Sequence, residues 1–384
     1  MTHTTRRPPS GGSSRGFAAF DLHACSELQP LRAKHDASIL SPDEPRLSHQ
    51  ESRHLLKLGN VEHVARLREL CISPSFRHNS LIQGSADYLV IACSDARVLR
   101  MDSENASLQG IQMRVAGNVM PSLGTTSFDD VRDAVKLVKD NGVILIEGHC
   151  HCGAVKERTK WAEGGMKSTG SDALDRLLTE VCGTSPAQNG LEQFVKAKDT
   201  LQIGRRELSF LIYDWENGGI ETPSQATVEK LRPYVASLEL AKRLNGLHAT
   251  AMKEGGLGRL KTHRPHSIVI GTLDMPYSAA TVFHARQNEL FCITGSERGL
   301  DHVDTASALY AVNHLGVHHI VFLAPGPESD LPRIGRLFER WKSDLSNMLV
   351  NGTRALGGML STGLLRISQF RYDLQTGKAV EFKL

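Results

Sequence analysis

Two polar segments, each at the end of an apolar run, constrain the fold of this chain more than any other feature. Residues 88–92 precede the segment 93–97 (Cys-Ser-Asp-Ala-Arg), and residues 143–146 precede the segment 148–153 (Gly-His-Cys-His-Cys-Gly). Short apolar runs that end in turn residues are typical of parallel strands buried on both faces. Because ligands collect at the carboxyl ends of such strands in open α/β sheets, we expect the two segments to meet at one sheet edge.

The residues in these segments predict a zinc site. Cys93, His149 and Cys152 offer thiolate and imidazole ligands, and a catalytic zinc has three protein ligands plus one position for water. Asp95 and Arg97 follow the first ligand at two-residue intervals. A purely structural zinc site, or reduced core cysteines, would leave this charged pair unexplained. We therefore expect one catalytic zinc in this part of the chain.

The spacing of these residues resembles that of the β-class carbonic anhydrases. Their signature is Cys-x-Asp-x-Arg followed by His-x-x-Cys, and here Cys93 and His149 are 56 positions apart (93 to 149). Three further segments resemble the family in its own order. They are residues 73–76 (Ser-Pro-Ser-Phe), residues 114–118 (Arg-Val-Ala-Gly-Asn, with Val in place of the family's first Asn), and Tyr213-Asp214 with Gly218.

The resemblance implies reversible hydration of carbon dioxide to bicarbonate on a zinc-bound hydroxide. It makes Cys93, His149 and Cys152 the metal ligands, in preference to Cys150 and His151. Asp95 would orient the hydroxide or, in a closed state, bind the metal itself, and Arg97 would hold Asp95. The backbone N–H of Gly153 would hold a bicarbonate oxygen.

Two other functions fit the same motifs. Relatives with these ligands hydrolyse carbonyl sulfide or carbon disulfide, and a non-catalytic zinc scaffold belongs to a different class altogether. The intact Asp95 and Arg97 pair argues against the scaffold. His151 is either a proton shuttle or a loop histidine that faces solvent.

A second copy of the pattern follows and lacks the ligands. Residues 266–276 align with the first strand and motif, residues 305–323 align with residues 126–147, and Tyr372-Asp373 with Gly377 repeats the closing turn. Thr272 and Pro325 stand where Cys93 and His149 stand in the first copy. We expect Asp274 to be a turn or cap residue. We also expect one zinc per chain and an intrachain pseudo-dimer with one working site.

Four segments follow from this alignment. Residues 1–50 are expected to be a disordered tail, 51–222 the zinc-binding catalytic domain, 223–265 a helical linker, and 266–384 the degenerate domain. The first twenty residues are rich in Arg and Ser and contain no acid before Asp21. That composition fits an organellar transit peptide, a plain tail or a segment that tethers a partner.

The fold class predicted from alternating strands and helices is α/β, with a parallel-sheet core and flanking helices. A helix is expected after Ser127 as N-cap, ending before Gly142, and a second one is expected to end at Leu315-Gly316. His318 and His319 are expected to be surface or loop histidines with satisfied hydrogen bonds.

Composition bounds the partners and the compartment. The formal net charge of +3 gives no case for nucleic acid or an anionic membrane, and no apolar run reaches the length of about eighteen residues that spans a bilayer. Seven cysteines, two of them expected thiolates, favour a reducing compartment. We expect a cytoplasmic enzyme for a small-molecule substrate, in pairs of chains or a larger homo-oligomer. An organelle is the alternative, as is the carboxysome, whose shell carbonic anhydrases also keep one site in paired domains but have a longer His-to-Cys gap.

Overall fold

The structure is a computed structural model that describes residues 18–41, 43–69, 86–95, 97, 110–215, 219–221, 262–350 and 353–383. Several predicted features lie outside the described residues: positions 1–17 of the tail, the segment 73–76, Gly218, and the linker from 223 to 261. The boundaries of the four predicted segments therefore stay predictions, apart from the tail.

Two helices precede the first sheet, α1 (Ala18–Leu40) and α2 (His49–Glu69). Leu28 and Leu47 pack with Leu55 in one apolar cluster. The Arg32 guanidinium donates to the His284 carbonyl at 2.6 Å, which ties α1 to the second half of the chain. The prediction of a disordered tail over residues 1–50 is therefore wrong from residue 18 onward. The acid-poor composition ends at Asp21. Beyond it, apolar residues such as Leu28 pack against α2, which stabilises an ordered helix.

The first half of the chain forms a five-stranded sheet. Its elements are β1 (Ala86–Cys93), β2 (Gly110–Val115), α3 (Thr126–Leu137), β3 (Val138–His149), α4 (Gly153–Glu163), α5 (Asp172–Glu180), α6 (Pro186–Thr200), β4 (Glu207–Asp214) and β5 (Gly219–Glu221). The strand order is β2-β1-β3-β4-β5, and only β5 is antiparallel to its neighbour. The central position of β1 and β3 places their carboxyl ends side by side.

The helix predicted after Ser127 has different ends. Thr125, not Ser127, is the N-cap, because its side chain accepts from the Phe128 N–H, while the Ser127 hydroxyl donates to Asp304 at 3.2 Å. Helix α3 ends at Leu137 and the chain passes directly into β3, so that Gly142 lies within the strand. The predicted N-cap and stop signal were both misplaced, although the helix exists.

The second half forms a sheet of the same design. Its elements are β6 (Ser267–Thr272), α7 (Ala279–Val282), β7 (Leu290–Gly295), α8 (His302–Leu315), β8 (His319–Pro325), α9 (Leu331–Asn347), β9 (Leu349–Val350), β10 (Thr353–Arg354), α10 (Ala355–Ser361), β11 (Arg366–Tyr372) and β12 (Ala379–Glu381). The order β7-β6-β8-β11-β12, with only β12 antiparallel, repeats the order and directions of the first sheet. The predicted α/β class with a parallel-sheet core is confirmed.

Details of the second half agree in part with the sequence pattern. Gly316 closes α8 in the left-handed conformation (φ 62°), as expected of a C-terminal glycine. Asp274 lies in the turn after β6, also as expected. His318 is exposed, but His319 begins β8 and is buried, so this histidine is a strand residue and not a loop residue.

The two sheets meet along their edge strands β2 and β7. The Arg114 N–H donates to the Thr294 hydroxyl at 2.9 Å, and the Ala116 N–H donates to the Ser307 hydroxyl at 3.1 Å. Val303 of α8 joins the apolar core of the first half. The second half therefore packs against the edge strand β2, which is the neighbour of β1. No helix in the described ranges is both long and apolar enough to cross a membrane.

Candidate metal centre

The three predicted ligands lie together at the ends of adjacent strands. Cys93 is the last residue of β1, His149 is the last residue of β3, and Cys152 is the N-cap of α4. The two sulfur atoms are 4.0 Å apart, and all three ligand atoms lie within 4.8 Å of one another. All three side chains are buried. Parallel pairing of β1 with β3 produces this convergence from residues that are far apart in sequence.

His149 is oriented as a metal ligand would be. Its Nδ1 lies 2.8 Å from the Cys150 carbonyl, which fixes the proton on Nδ1 and leaves Nε2 as the lone-pair nitrogen. Nε2 is buried and has no hydrogen-bond partner among the described residues. Two sulfurs and one unpartnered imidazole nitrogen fit zinc, which takes tetrahedral nitrogen and sulfur sites, and three ligands leave one position open.

Backbone N–H groups surround both sulfurs. The Gly117 N–H donates to Cys93 Sγ at 3.2 Å. A hydrogen bond from Cys93 lowers the pKa of Cys152, and the N–H groups of Val155 and Ala154 at the start of α4 act in the same direction. Burial raises the pKa of the Cys93 thiol well above its usual value, which favours the neutral thiol. A bound cation would displace the thiol proton, because metals bind the thiolate.

The neighbours of Cys152 in the second segment point elsewhere. Cys150 donates through its thiol to Asp214, the last residue of β4, at 3.3 Å. His151 has a positive φ of 52°, is exposed, and lies beside the Trp215 ring. Neither residue belongs to the cluster of potential ligands.

Asp95 and Arg97 form a buried, doubly bonded ion pair. Arg97 donates from Nε to Oδ1 at 2.9 Å, from Nη2 to Oδ2 at 2.6 Å, and from its backbone N to Oδ1 at 2.9 Å. Burial alone would raise the pKa of Asp95, but the charge and hydrogen bonds of Arg97 lower it far below its usual value. Trp215 covers the guanidinium at 4.7 Å. Asp95 Oδ2 is 3.9 Å from His149 Nε2, so this ionised carboxylate borders the ligand cluster.

Residues of the second half complete the wall, and sequence reasoning did not identify them. His263 Nε2 lies 3.4 Å from Asp95 Oδ1, and burial lowers the pKa of His263 to about 4, which keeps the ring neutral. A Cβ on Gly153 would lie 2.4 Å from the Tyr310 hydroxyl. Gln287 donates to the Arg97 carbonyl at 3.2 Å. No local motif marks these residues, because their role depends on how the two sheets dock.

One family model matches the part of the chain that contains the predicted ligands. The family model described as carbonic anhydrase matches residues 88–205, which contain all three ligand candidates together with Asp95 and Arg97. No curated protein matches the chain significantly.

Three solved structures resemble parts of the chain. A β-carbonic anhydrase of Coccomyxa in complex with acetazolamide is 15% identical, covers 40% of this chain and 86% of its own, and has a TM-score of 0.26. The β-carbonic anhydrase CcaA is 25% identical over 42% of this chain and 84% of its own, with a TM-score of 0.29. The apo form of a carbon disulfide hydrolase is 16% identical over 44% of this chain and 95% of its own, with a TM-score of 0.27.

Proposed function

We propose that this chain hydrates carbon dioxide reversibly to bicarbonate. The proposal starts from residues 88–205, which match the carbonic anhydrase family model and would form a β-class domain. Zinc would be held by Cys93, His149 and Cys152. The observation that carries the proposal is the buried, unpartnered His149 Nε2, which lies beside two sulfurs and an ionised carboxylate. Zinc, when bound, would supply the Lewis acidity that makes water nucleophilic near neutral pH.

The chain's own residues would orient the reactants. Asp95 would accept a hydrogen bond from the attacking water and so direct its lone pair toward carbon dioxide. The forked contact from Arg97 fixes both carboxylate oxygens, which keeps Asp95 ionised and away from the metal position. The Gly153 N–H, at the start of α4, would hold a bicarbonate oxygen. Tyr310, which contacts Gly153, would limit the space for the substrate.

The second half would serve as a structural partner of the first. Its sheet has the same strand order, and Thr272 and Pro325 end the strands that correspond to β1 and β3. In the described part of the chain, the Cys93 cluster is the one group with metal-ligand spacing. We therefore infer a degenerate copy, an intrachain pseudo-dimer and one zinc per chain, with His263 and Tyr310 as the partner half's contribution to the site.

Assembly and compartment follow from the same proposal. We expect pairs of chains or a larger homo-oligomer, which size-exclusion chromatography with light scattering would measure. No disulfide joins the cysteines that the structure describes, which are Cys93, Cys150, Cys152, Cys182 and Cys292, and this is compatible with a reducing compartment. The cytoplasm is the compartment we propose.

The proposal is tested by stopped-flow hydration of carbon dioxide on the zinc-loaded full chain. The wild type should accelerate hydration, with a rate that rises with pH, and His149→Ala should lose zinc and activity together. Cys150→Ala is the matched control, because its sulfur lies outside the cluster, and it should keep both. Zinc-loaded wild type without hydration activity would refute the proposal. Carbonyl sulfide and carbon disulfide, tested on the same preparation, would then separate a hydrolase from a scaffold.

A further inference from the structure

A cavity lies between the N-terminal helices and the amino ends of the second sheet's strands. Its volume is about 30 Å³, and it is partly open to solvent. It is lined by residues from α1, α2, the segment before β6 and the α8–β8 connection, and these are His35, Ser38, Arg46, Leu47, His49, Ser52, Arg264, Pro265, His266, Gly316, His318 and His319. The lining contains two arginines and five histidines and no carboxylate. The zinc chemistry proposed above uses none of these residues.

The two arginines face the cavity without an acidic partner. Among the described residues, no carboxylate lies within 4.0 Å of either guanidinium. Arg46 donates to the Pro265 carbonyl at 3.4 Å, and Arg264 donates to the carbonyls of Ser38 and Ser41, so neutral oxygens hold both. Burial and then the charge of Arg264 lower the pKa of Arg46 to about 10, which still leaves the Arg46 guanidinium charged at neutral pH. Two like charges are thus held together at one wall.

The nearby carboxylates are already neutralised by other cations. Glu289 lies 3.4 Å from Arg32 and 2.7 Å from Arg286. Glu381 pairs with Arg53 and with Lys57. Glu289 and Glu381 therefore pair with cations other than Arg46 and Arg264.

A buried hydroxyl faces the same cavity. Ser52, on the first turn of α2, is 1% exposed, and its Oγ has no hydrogen-bond partner among the described residues. A buried hydroxyl without a partner costs free energy unless a ligand or water satisfies it. The start of α2 also carries the positive end of the helix dipole, which favours an anion.

Neutral imidazoles complete the polar wall. Ser267 Oγ lies 2.9 Å from both His266 Nδ1 and His319 Nδ1, and His319 Nε2 lies 3.1 Å from Ser368 Oγ. Burial lowers the pKa of His266 to about 3 and that of His319 well below its usual value. These neutral rings are held by serine hydroxyls and add no positive charge, so the charge of the cavity comes from the arginines.

We propose that this cavity binds a small oxyanion of the phosphate, sulfate or bicarbonate type, held by Arg46, Arg264 and Ser52. Guanidinium groups match the oxygen geometry of such anions, and the Ser52 hydroxyl of α2 supplies a further donor. The cavity lies outside the residues that match the family model, and it depends on α1 and α2, so it is a feature of this chain's own architecture.

Equilibrium dialysis of the full chain against radiolabelled inorganic phosphate tests the proposal, at ionic strength held constant with chloride. We expect saturable binding with one phosphate per chain in this cavity. Arg46→Gln should weaken it about tenfold or more, and Ser52→Ala about threefold, as expected for a charged and a neutral hydrogen bond. Arg336→Gln is the matched control, because Arg336 is exposed on α9 and does not line the cavity. This variant should bind phosphate with the affinity of the wild type.

Separate outcomes would overturn the proposal. Absence of saturable binding of phosphate, sulfate and bicarbonate, or Arg46→Gln and Ser52→Ala variants that bind as tightly as Arg336→Gln, would each refute it. Competition by sulfate and bicarbonate identifies which oxyanion binds best. Binding without carbon dioxide hydration would refute only the proposed function, and hydration without binding would refute only this cavity site.

Discussion

Removal of the Arg97 side chain should destabilise the protein far more than removal of an exposed arginine. Asp95 is 3% exposed and receives two side-chain hydrogen bonds from Arg97. Arg97→Ala would leave a buried carboxylate without its cation, and loss of one member of a buried pair costs about 3–5 kcal/mol of unfolding free energy. Arg132 is the matched control: its pair with Asp129 is 2.8 Å long but exposed on the surface of α3, so Arg132→Ala should cost about 0.2–1 kcal/mol.

The pH dependence of the difference follows from the direction of the pKa shift. Because the folded-state pKa of Asp95 is lowered, the stabilisation is present above the unfolded pKa of about 3.9 and is lost as the pH falls below it. Urea unfolding at pH 7 should therefore separate Arg97→Ala clearly from the wild type, and the contribution of the ion pair should decline only below about pH 4.

A double variant distinguishes an unpaired charge from simple loss of packing. Asp95→Asn combined with Arg97→Ala removes the buried charge and should recover part of the lost unfolding free energy. If Arg97→Ala costs no more than Arg132→Ala, or if the double variant is no more stable than Arg97→Ala alone, the buried ion-pair reasoning is refuted.

Three further changes test other parts of the structure. Gly153→Ala should lower activity because its new Cβ would lie 2.4 Å from the Tyr310 hydroxyl, and Tyr310→Phe added to it should restore activity; hydration rates that do not recover would contradict the contact. Gly59→Ala should cost about 1–3 kcal/mol in urea unfolding, because its Cβ would meet a backbone carbonyl of the second half, whereas Gly358→Ala, which meets nothing within 4 Å, should not destabilise. Burial lowers the folded-state pKa of His266 to about 3, against about 6.5 in the unfolded chain, so the unfolded state binds more protons as the pH falls. Acidification from pH 7.5 to 5.5 should therefore lower the free energy of unfolding by about 1.4 kcal/mol. Replacement of His266 by Gln should reduce that pH dependence, and an unchanged slope in thermal unfolding would argue against it.

Local sequence patterns were sufficient to predict that Cys93, His149 and Cys152 lie together. The only long-range contact that this prediction requires is the pairing of two neighbouring parallel strands. The buried strands that end at Cys93 and His149 are each visible as an apolar run before a motif, and parallel pairing brings their ends together. The strand order of the second sheet likewise follows from its resemblance to the first. In both halves, the apolar runs predict the strands, and the polar residues that follow them mark where the strands end.

Features that depend on docking between distant segments could not be predicted in this way. The composition of residues 1–20 predicted a disordered tail. Instead, Leu28 and Leu47 pack against apolar residues of α2, and Arg32 donates a hydrogen bond to the His284 carbonyl. His263, in the segment before β6, lies 3.4 Å from Asp95, although the two residues are 168 positions apart in the chain (95 to 263). Neither contact has a signature in the spacing of nearby residues.

X-ray absorption at the zinc edge, combined with metal analysis of the full chain, tests the central claim most directly. The proposed site predicts about one zinc per chain, with two sulfur ligands at about 2.3 Å and two lighter ligands, nitrogen or oxygen, at about 2.0–2.1 Å. Cys93→Ala should lose most of the zinc, and Cys150→Ala should leave both the metal content and the sulfur count unchanged. Close to two zinc ions per chain, or a zinc environment with four sulfurs or with none, would contradict a single Cys93, His149 and Cys152 site.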